Sequence, residues 1–252
     1  MITNDTYFSP ENNMKYMSAS QFKSFMNCEA AALAELKGEY TREKTVALLV
    51  GSYVDSYFEG SLGRFLEQNP ELFTRQGTLK AEYRQAEYII QRVSSDPLFM
   101  KYMSGQKQII KTGEIEGVLF KTKIDSYHPG KALVDLKIMK DFAPVYKEGE
   151  GRLNFIEAWG YDIQGAVYQA VEGNRLPFFI AAATKEKEPD LAIISIPQPY
   201  LDTAMEIIKA NVQRFADLKK GIGEPIRCEK CDYCKRTKIL DRVITMEELC
   251  ND

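Results

Sequence analysis

The sequence predicts an α/β fold: one α/β domain with helices appended at both ends. Three observations support this prediction. The first third of the 252 residues repeats apolar residues at helical spacing, the middle has short runs rich in β-branched and aromatic residues, and the last part returns to a helical period. We see no repeat or linker, so we expect one domain over 1–252, with helices in 1–105, a core in 106–198, and a C-terminal helix and cysteine cluster in 199–252.

Three helices are predicted in the N-terminal part. The first begins at a cap, either Ser18 or Ser20, carries apolar residues at helical spacing, and ends at Gly38. The second and third show the same spacing and are expected over about 43–59 and 79–93.

The middle of the chain is typical of an antiparallel meander. Its three short runs, separated by glycine-containing turns, are KQIIKTG, VLFKTKIDSY and KALVDLKIM. After them we expect a long helix near 155–172, the strands PFFIAAAT and LAIISIP, and a helix over about 200–219.

Composition excludes several classes of protein. Charged residues make up 27% of the chain and the net charge is −3, which argues against a protein held on nucleic acid by charge alone. No apolar run approaches the roughly 20 residues of a membrane span, and the polar N-terminus shows no secretory signal, so we expect a cytoplasmic protein with no membrane partner. The odd number of cysteines, five, disfavours a disulfide scaffold and favours metal binding.

The residues with the clearest chemistry lie around the turn between the second and third strands. Alternation places Asp135 and Lys137 on one strand face, and the hairpin brings Asp125, at the end of the preceding strand, beside them. Two carboxylates, with the backbone carbonyl of Leu136 in reach, suit Mg²⁺, while the lysine holds the nucleophile or stabilises developing charge. An exposed ion pair is the alternative for Asp-x-Lys alone, but the apolar flanks indicate a buried strand.

The helix that follows adds two polar residues. Gln164 and Tyr168 are four positions apart and therefore share one helix face. They suit hydrogen bonding to a phosphate, or ordering of the lysine and its water. A half-buried amphipathic helix is the alternative.

Together, D-x9-D-x-K and the helix with Q-x3-Y resemble the PD-(D/E)XK nuclease superfamily in its RecB-like branch, closest to the phage and prophage exodeoxyribonuclease VIII (RecE-like) group. The resemblance begins at SASQFKSFMNC and ends at CEKCDYCKRTK. It implies a restriction-endonuclease-like core, with a central mixed sheet flanked by helices. It also implies that Asp125 and Asp135 bind metal, that Lys137 is the catalytic lysine, and that Gln164 and Tyr168 support them.

One position departs from that family. In this branch a metal-binding histidine usually stands where this chain has Asp55. A carboxylate still coordinates Mg²⁺ or Mn²⁺, so Asp55 is either a replacement ligand or a surface residue beside a weakened site. The only histidine, His128, is expected to be structural, and Glu114 is a candidate for an acidic position often found before the core strands.

The cysteines form the second candidate site. Cys228, Cys231 and Cys234 are separated by two-residue spacers, which resembles the spacing of iron–sulfur ligands, and either Cys28 or Cys250 can complete the set. Related iron–sulfur nucleases pair one upstream cysteine with three downstream, which implies Cys28 as the fourth ligand of a 4Fe-4S cluster and Cys250 as a free thiol. A structural zinc site is the rival.

We therefore expect a Mg²⁺-dependent exodeoxyribonuclease acting on the ends of linear duplex DNA, in recombination or phage replication. A homo-oligomer or a recombination protein is a further candidate partner. Seven cations against three anions in 219–238 are consistent with a phosphate-binding patch. The alternative is a nuclease-fold module that binds DNA without turnover inside a larger assembly. Strand polarity and exo- versus endonucleolytic action stay open.

Overall fold

A central five-stranded sheet organises the chain, in the order β1-β2-β3-β6-β7. The computed structural model describes residues 2–147, 149, 151–240 and 242–246. β3 and β6 are parallel and the other neighbours in the sheet are antiparallel, which confirms the predicted mixed sheet. The strands are β1 (Gln106–Ile115), β2 (Val118–His128), β3 (Ala132–Met139), β4 (Val145–Lys147), β5 (Gly151–Leu153), β6 (Phe178–Thr184) and β7 (Leu191–Ser195), of which β4 and β5 form a separate hairpin.

Eleven α-helices and two short 3₁₀ helices (Pro70–Leu72 and Ala81–Tyr83) occur in the described part of the chain. In chain order, the α-helices are α1 (Pro10–Lys15), α2 (Ala19–Asn27), α3 (Glu29–Leu36), α4 (Val46–Glu59), α5 (Leu62–Gln68), α6 (Gln85–Ser94), α7 (Pro97–Tyr102), α8 (Phe155–Ala158), α9 (Tyr161–Glu172), α10 (Gln198–Lys219) and α11 (Asp232–Arg236). Within this part, no helix is long and apolar enough to cross a membrane.

Alternation along the strands gives the sheet two apolar faces. Val134 and Leu136 pack with α4, α6 and α7 on one face, whereas Leu133 and Ile180 pack toward α9 and α10 on the other. A further apolar cluster joins α2 and α3 to α9 and α10. Close packing explains why residue 165 on α9 is a glycine, because a Cβ there would approach Leu201 Cδ2 to 2.8 Å.

Two predicted helices are each divided in two. The helix expected from residue 18 to residue 38 breaks at Cys28, which has extended backbone angles (φ −165°, ψ 108°), ends α2 and caps α3. The helix expected over 155–172 breaks at Gly160, which has a left-handed φ of 62°. A Cβ at Gly160 would approach Lys23 Cδ to 2.7 Å, so a glycine allows α2 to pack closely here.

Short elements account for what the sequence patterns miss. α1 and α5 have six and seven residues and none of them is fully buried, so each helix is too short to show a clear apolar period. β4 and β5 have three residues each, which is too short for alternation to be visible. α7 begins at Pro97, directly after the capping residue Asp96, so the feature that ends α6 also starts the next helix.

The pairing of β2 with β3 is the feature that opens the candidate site. They pair only near their turn, from Ser126 opposite Val134 to His128 opposite Ala132. Farther from the turn, the side of β2 that β3 leaves open is partly covered by Met17, whose backbone bonds to Leu119 and Lys121. The two strands thus separate at the level of the predicted carboxylates.

Candidate active site and cysteine centre

The three residues predicted from the strand hairpin come together where β2 and β3 separate. The backbone N–H of Leu136 donates to Asp125 Oδ2 at 2.9 Å, so a side chain takes the place of the missing ladder partner. The ammonium of Lys137 forms an ion pair with Asp135 Oδ2. Asp125 lies inside β2 and does not close it, because the strand continues for three more residues.

α9 supplies the two further residues that were predicted. Gln164 Nε2 donates to Asp135 Oδ1 at 2.5 Å and to the hydroxyl of Tyr168 at 3.0 Å. The Tyr168 hydroxyl lies 2.9 Å from the backbone carbonyl of Lys123, to which it donates. Both side chains are buried, so this network fixes the Asp135 carboxylate against the sheet.

Asp55 faces the same site from α4. Its Oδ1 is buried and has no hydrogen-bond partner in the protein. Burial, with the nearby charge of Asp125, raises the pKa of Asp55 well above its usual value. The structure thus brings Asp55 and Leu136 to the cavity that also contains Asp125, Asp135 and Lys137.

Negative charge exceeds positive charge at this site. Burial and the neighbouring Asp135 raise the pKa of Asp125 to about 7. Burial alone would lower the pKa of Lys137, but Asp135 and Asp125 hold this pKa above its usual value. Three carboxylates around one ammonium, with an unbonded oxygen on Asp55, are a donor set that fits a hard divalent cation.

The site opens into a cavity of about 660 Å³. α2 and α3 line its far side, and the N-terminal segment, which comprises residues 2–17, contributes Tyr7, Phe8 and Asn13 as a wall. Phe8 is 68% exposed, although it contacts the buried Tyr7 edge to face at 4.9 Å between ring centres. Exposed aromatic rings at the wall of a cavity can stack with nucleobases.

Lys121 anchors the N-terminal segment, a role that the sequence patterns did not indicate. Its ammonium donates to the backbone carbonyl of Tyr7 and, at 2.7 Å, to Asn13 Oδ1. The side chain is almost fully buried, and burial lowers the pKa of Lys121 to about 8. The wall of the cavity is therefore tied to β2.

Lys23 is a second cation that the sequence reasoning missed. It reaches from α2 and donates to the backbone carbonyl of Trp159 at 3.2 Å. Its Nζ lies 5.3 Å from the centre of the Tyr161 ring, and Lys137 Nζ lies 5.5 Å from the centre of the same ring. Burial, followed by the charge of Lys137, lowers the pKa of Lys23 to about 8. Its sequence signal is slight, because it lies inside an ordinary helical run.

Two minor candidates lie elsewhere. Glu114 is exposed on β1 opposite Leu119 and does not line the cavity, so its proposed match to an acidic site position is wrong. His128 ends β2, and its Nε2 lies 2.9 Å from the backbone carbonyl of Tyr102, in keeping with a structural role.

The cysteines form a second, separate centre. The sulfurs of Cys28, Cys228, Cys231 and Cys234 all lie within 4.8 Å of one another, and those of Cys28 and Cys234 are 3.6 Å apart. Backbone N–H groups donate to three of the sulfurs at 3.3–3.5 Å. The structure thus brings Cys28 to the downstream triplet, while Cys250 lies outside the described residues.

The surroundings of this centre join the two ends of the chain. Glu29, next to Cys28, accepts two hydrogen bonds of 2.7 Å from the guanidinium of Arg214 on α10. It also accepts one from the backbone N–H of Ile226, two residues before Cys228. Four sulfur ligands suit an iron–sulfur cluster or a tetrahedral zinc ion, and sulfurs within 4.8 Å of one another are closer to the spacing around a single zinc ion.

The basic segment 219–238 is only partly free to bind phosphate. Lys219 donates to the backbone carbonyl of Tyr16 at 2.8 Å, and Arg227 pairs with Glu229 at 2.6 Å. Lys235 and Arg236 are exposed and line a groove beside the cysteine centre. The patch is therefore smaller than the sequence count predicts.

Comparisons with known proteins agree with this geometry. Residues 18–237 match the model of a family described as a PDDEXK-like domain of unknown function (DUF3799). A crystal structure of a protein from Eubacterium rectale, described as a "putative exonuclease", is 48% identical in sequence, with a TM-score of 0.94. The alignment covers 99% of this chain and 98% of that one. No curated protein matches the chain.

Proposed function

Since the chain belongs to the PDDEXK-like family DUF3799, we propose that it is a metal-dependent deoxyribonuclease that degrades linear double-stranded DNA from its ends. Membership confirms the resemblance to the PD-(D/E)XK superfamily that the motifs indicate. The name of the Eubacterium rectale protein supports exonucleolytic action in particular.

One observation carries the proposal. Asp125, Asp135 and Lys137 converge in a single cavity, where α9 holds Asp135 through Gln164. A structural ion pair would need only one carboxylate for the lysine. Here the surplus of carboxylates leaves a buried oxygen of Asp55 unbonded, as expected of a site built to bind a cation.

We assign roles to the chain's own groups accordingly. Asp125, Asp135, Asp55 and the backbone carbonyl of Leu136 would hold Mg²⁺ or Mn²⁺. Such an ion polarises a phosphodiester and lowers the pKa of a bound water. Lys137 stays protonated at neutral pH and is placed to orient the attacking water or to stabilise charge as the bond to the leaving oxygen breaks.

The Lys137 side chain is held for this role by its neighbours. Asp135 fixes the ammonium on one side, and the Tyr161 ring lies near it on another. Gln164 and Tyr168 both contact Asp135 Oδ1 and so fix this carboxylate. We therefore assign them as positioning residues rather than as groups that exchange protons.

For the cysteine centre we propose a 4Fe-4S cluster with a structural role, bound by Cys28, Cys228, Cys231 and Cys234. Iron and zinc analysis with an absorption spectrum after anaerobic purification tests this. About four irons per chain with a broad visible absorption that bleaches in air would support the cluster. One zinc per chain without colour would overturn it.

End-labelled linear duplex DNA, incubated with the protein and Mg²⁺ or Mn²⁺, tests the main proposal. A closed circle of the same sequence is the control substrate. Degradation of the linear form alone, abolished by chelator and by Asp135→Ala, is the expected result. Asp141→Ala is the matched control variant, because Asp141 follows the same strand but does not line the cavity.

Two results would contradict the proposal in different ways. Cleavage of the circle at the same rate would indicate an endonuclease. No degradation by folded, metal-loaded protein that still binds DNA would indicate a binding module without turnover.

A further inference from the structure

The groove beside the cysteine centre has about the same volume as the active-site cavity, and none of the roles proposed above uses it. Its volume is about 670 Å³, compared with about 660 Å³ for the cavity. It is lined by Cys28 and Cys231 of the cysteine centre and by Tyr40, Lys235 and Arg236. A space of this size is typical of binding sites for small organic ligands, so it can hold a short stretch of nucleic-acid strand.

Helix α2 connects this groove with the active-site cavity. Ser20, Ser24 and Asn27 are separated by four and three positions, so they lie on one face of α2. Ser20 lines the cavity, Ser24 lines both spaces and Asn27 lines the groove. The helix rises by about 10 Å from Ser20 to Asn27, which is the length of about three stacked nucleotides of one strand. A strand that lies along this face therefore reaches from one space to the other.

Two cations of the groove have no carboxylate partner. Lys235 and Arg236 are exposed in the last turn of α11, and neither forms an ion pair within the part of the chain that the structure describes. Arg42, a third cation of the lining, is paired with a carboxylate of α3. The carboxylates of the lining are Glu43 and Asp232, and Asp232 lies at the opposite end of α11. Two adjacent cations without a counterion attract a phosphate.

Tyr40 adds a stacking surface beside Arg236. Its ring packs on Tyr233 with 5.3 Å between ring centres, and the Arg236 guanidinium lies 5.6 Å from the centre of the Tyr40 ring. Tyr40 is only half-buried and lines the groove. Aromatic rings and guanidinium groups in a cationic groove bind single-stranded nucleic acid, whose bases have free faces to stack. The bases of a duplex are already stacked on one another, so the combination favours an unpaired strand.

We propose that this groove binds the unpaired strand of the DNA substrate, about three nucleotides from the bond that is cleaved in the active-site cavity. Lys235 and Arg236 contact its phosphates, and a base stacks on Tyr40. The inference rests on the proposed function, because it takes the cavity as the place of cleavage. It adds that the end of a duplex is unpaired before cleavage, over a length that reaches both spaces.

Binding of labelled oligothymidylates of increasing length to the full chain tests the inference, with the cysteine centre loaded and without Mg²⁺. Fluorescence anisotropy measures Kd for strands of about two to twelve nucleotides. The Kd of the wild type is expected to fall by about tenfold or more once the strand reaches both spaces, at about six nucleotides.

Substitutions in the groove should remove this gain. Lys235→Met combined with Arg236→Met should abolish most of it and leave the Kd of the shortest strands nearly unchanged. Tyr40→Leu should weaken binding of the longer strands by about fivefold or more, whereas Tyr40→Phe keeps the ring and should bind like the wild type. Lys238→Met is the matched control, because Lys238 is an exposed lysine of the same segment that does not line the groove.

Metal analysis of each variant separates strand binding from a structural role, in which the two cations only offset the negative charge of the thiolates. Loss of the metal, with equal weakening of binding at every length, would overturn the inference. A duplex that binds as tightly as a single strand of the same length, and loses the same affinity in the variants, would overturn the assignment to an unpaired strand.

The hydrolysis assay on linear duplex DNA keeps the inference separate from the proposed function. Hydrolysis by the wild type, with no length-dependent gain in strand binding, would overturn the groove as a binding site and leave the nuclease intact. A length-dependent gain that the variants lose, without hydrolysis by metal-loaded protein, would support the groove and contradict the proposed function.

Discussion

The carboxylate cavity and the cysteine centre are both suited to metal, yet they are built differently. The carboxylates come from neighbouring strands and packed helices, and each is held by groups of the protein, as Asp125 is by the backbone N–H of Leu136. The cysteines come from opposite ends of the chain, since Cys28 and Cys234 are 206 positions apart, and few buried apolar residues surround them.

This difference indicates what a metal would contribute in the carboxylate cavity and what it would contribute in the cysteine centre. In the carboxylate cavity the geometry is set by the sheet and α9, so an ion adds chemistry to a structure that forms without it. In the cysteine centre the sulfurs mainly contact one another, so a metal adds folding free energy by closing the chain ends together. The two regions should therefore respond in opposite ways to substitution of their ligands.

Asp135→Asn should give the largest effect, and on activity alone. The variant keeps the size of the side chain but removes a charged ligand, so we expect the rate of DNA hydrolysis to fall by about 10³-fold. Its free energy of unfolding should change far less, because Asp125 and Asp55 still offset the charge of Lys137. Hydrolysis assays and urea unfolding measure the two quantities. If the free energy of unfolding fell by as much as the free energy of activation rose, the proposed difference between the two regions would be contradicted.

Cys234→Ser should show the reverse pattern. Cys234 is fully buried and belongs to the sulfur set, so its loss should release the metal and lower the free energy of unfolding by about 3 kcal/mol or more. Unfolding of residues near both termini, followed by hydrogen exchange, would locate the effect. A serine variant that keeps its metal and its stability would show that the centre is dispensable for folding.

The sequence was informative about the elements and the ligand types, for reasons that particular residues make clear. Alternation alone places Asp135 and Lys137 on one face, and two-residue spacers alone bring Cys228, Cys231 and Cys234 together. The separation of β2 from β3, which opens the cavity, has no sequence signal. It depends on how Met17 and the N-terminal segment pack against β2, which is a tertiary effect.

The same limit applies to single side chains. Lys23 reaches the site because Gly160 lets α2 approach. Gln108 contacts Asp125 because β1 contains a bulge at this residue, which has a left-handed φ of 53° and no partner in the ladder with β2. Neither feature follows from propensity or periodicity. The break at Cys28 is similar, since a continuous apolar period predicts one helix and the cap that Cys28 provides divides it.

A change of pH should also distinguish the two regions, by a smaller effect on stability than these substitutions have. Because burial raises the pKa of Asp125 to about 7, the folded protein without Mg²⁺ binds a proton there that the unfolded chain has released. Its stability should therefore fall as pH rises from 5 to 7, by about 2 kcal/mol. The pKa values of Glu29 and Glu172 lie below normal, so these two carboxylates make stability rise with pH. They do so only at lower pH, where carboxylates ionise.

Thermal unfolding between pH 5 and 7, with the cysteine centre loaded, measures this slope. Asp125→Asn should reduce it and leave the part that arises from Asp55, whose pKa burial also raises. Added Mg²⁺ should reverse it, since ion binding favours the ionised carboxylate. An equal slope in Asp125→Asn would assign the pH dependence to other groups.

Lys23 should give the smallest effect, and one that links the two regions. It extends from α2, the helix that ends at Cys28, so the cysteine centre fixes the helix that holds this cation near Lys137. Near Lys137 and without a carboxylate within ion-pair distance among the described residues, it is placed to contact a phosphate of the substrate. Lys23→Met should raise KM for DNA by about tenfold and leave kcat nearly unchanged, because a phosphate contact away from the reacting bond contributes uniform binding.

The connection between the cysteine centre and Lys23 through α2 predicts how the effects of Lys23→Met and Cys234→Ser on KM combine. If the cysteine centre acts on binding by fixing α2, part of the KM increase in Cys234→Ser arises from a displaced Lys23. The double variant should then show a smaller increase in KM than the product of the two single effects. Lys123→Met, a lysine that lines the cavity from β2, is the matched control and should combine with Cys234→Ser multiplicatively. Multiplicative behaviour of Lys23→Met as well would show that the two regions act independently, one in folding and the other in chemistry.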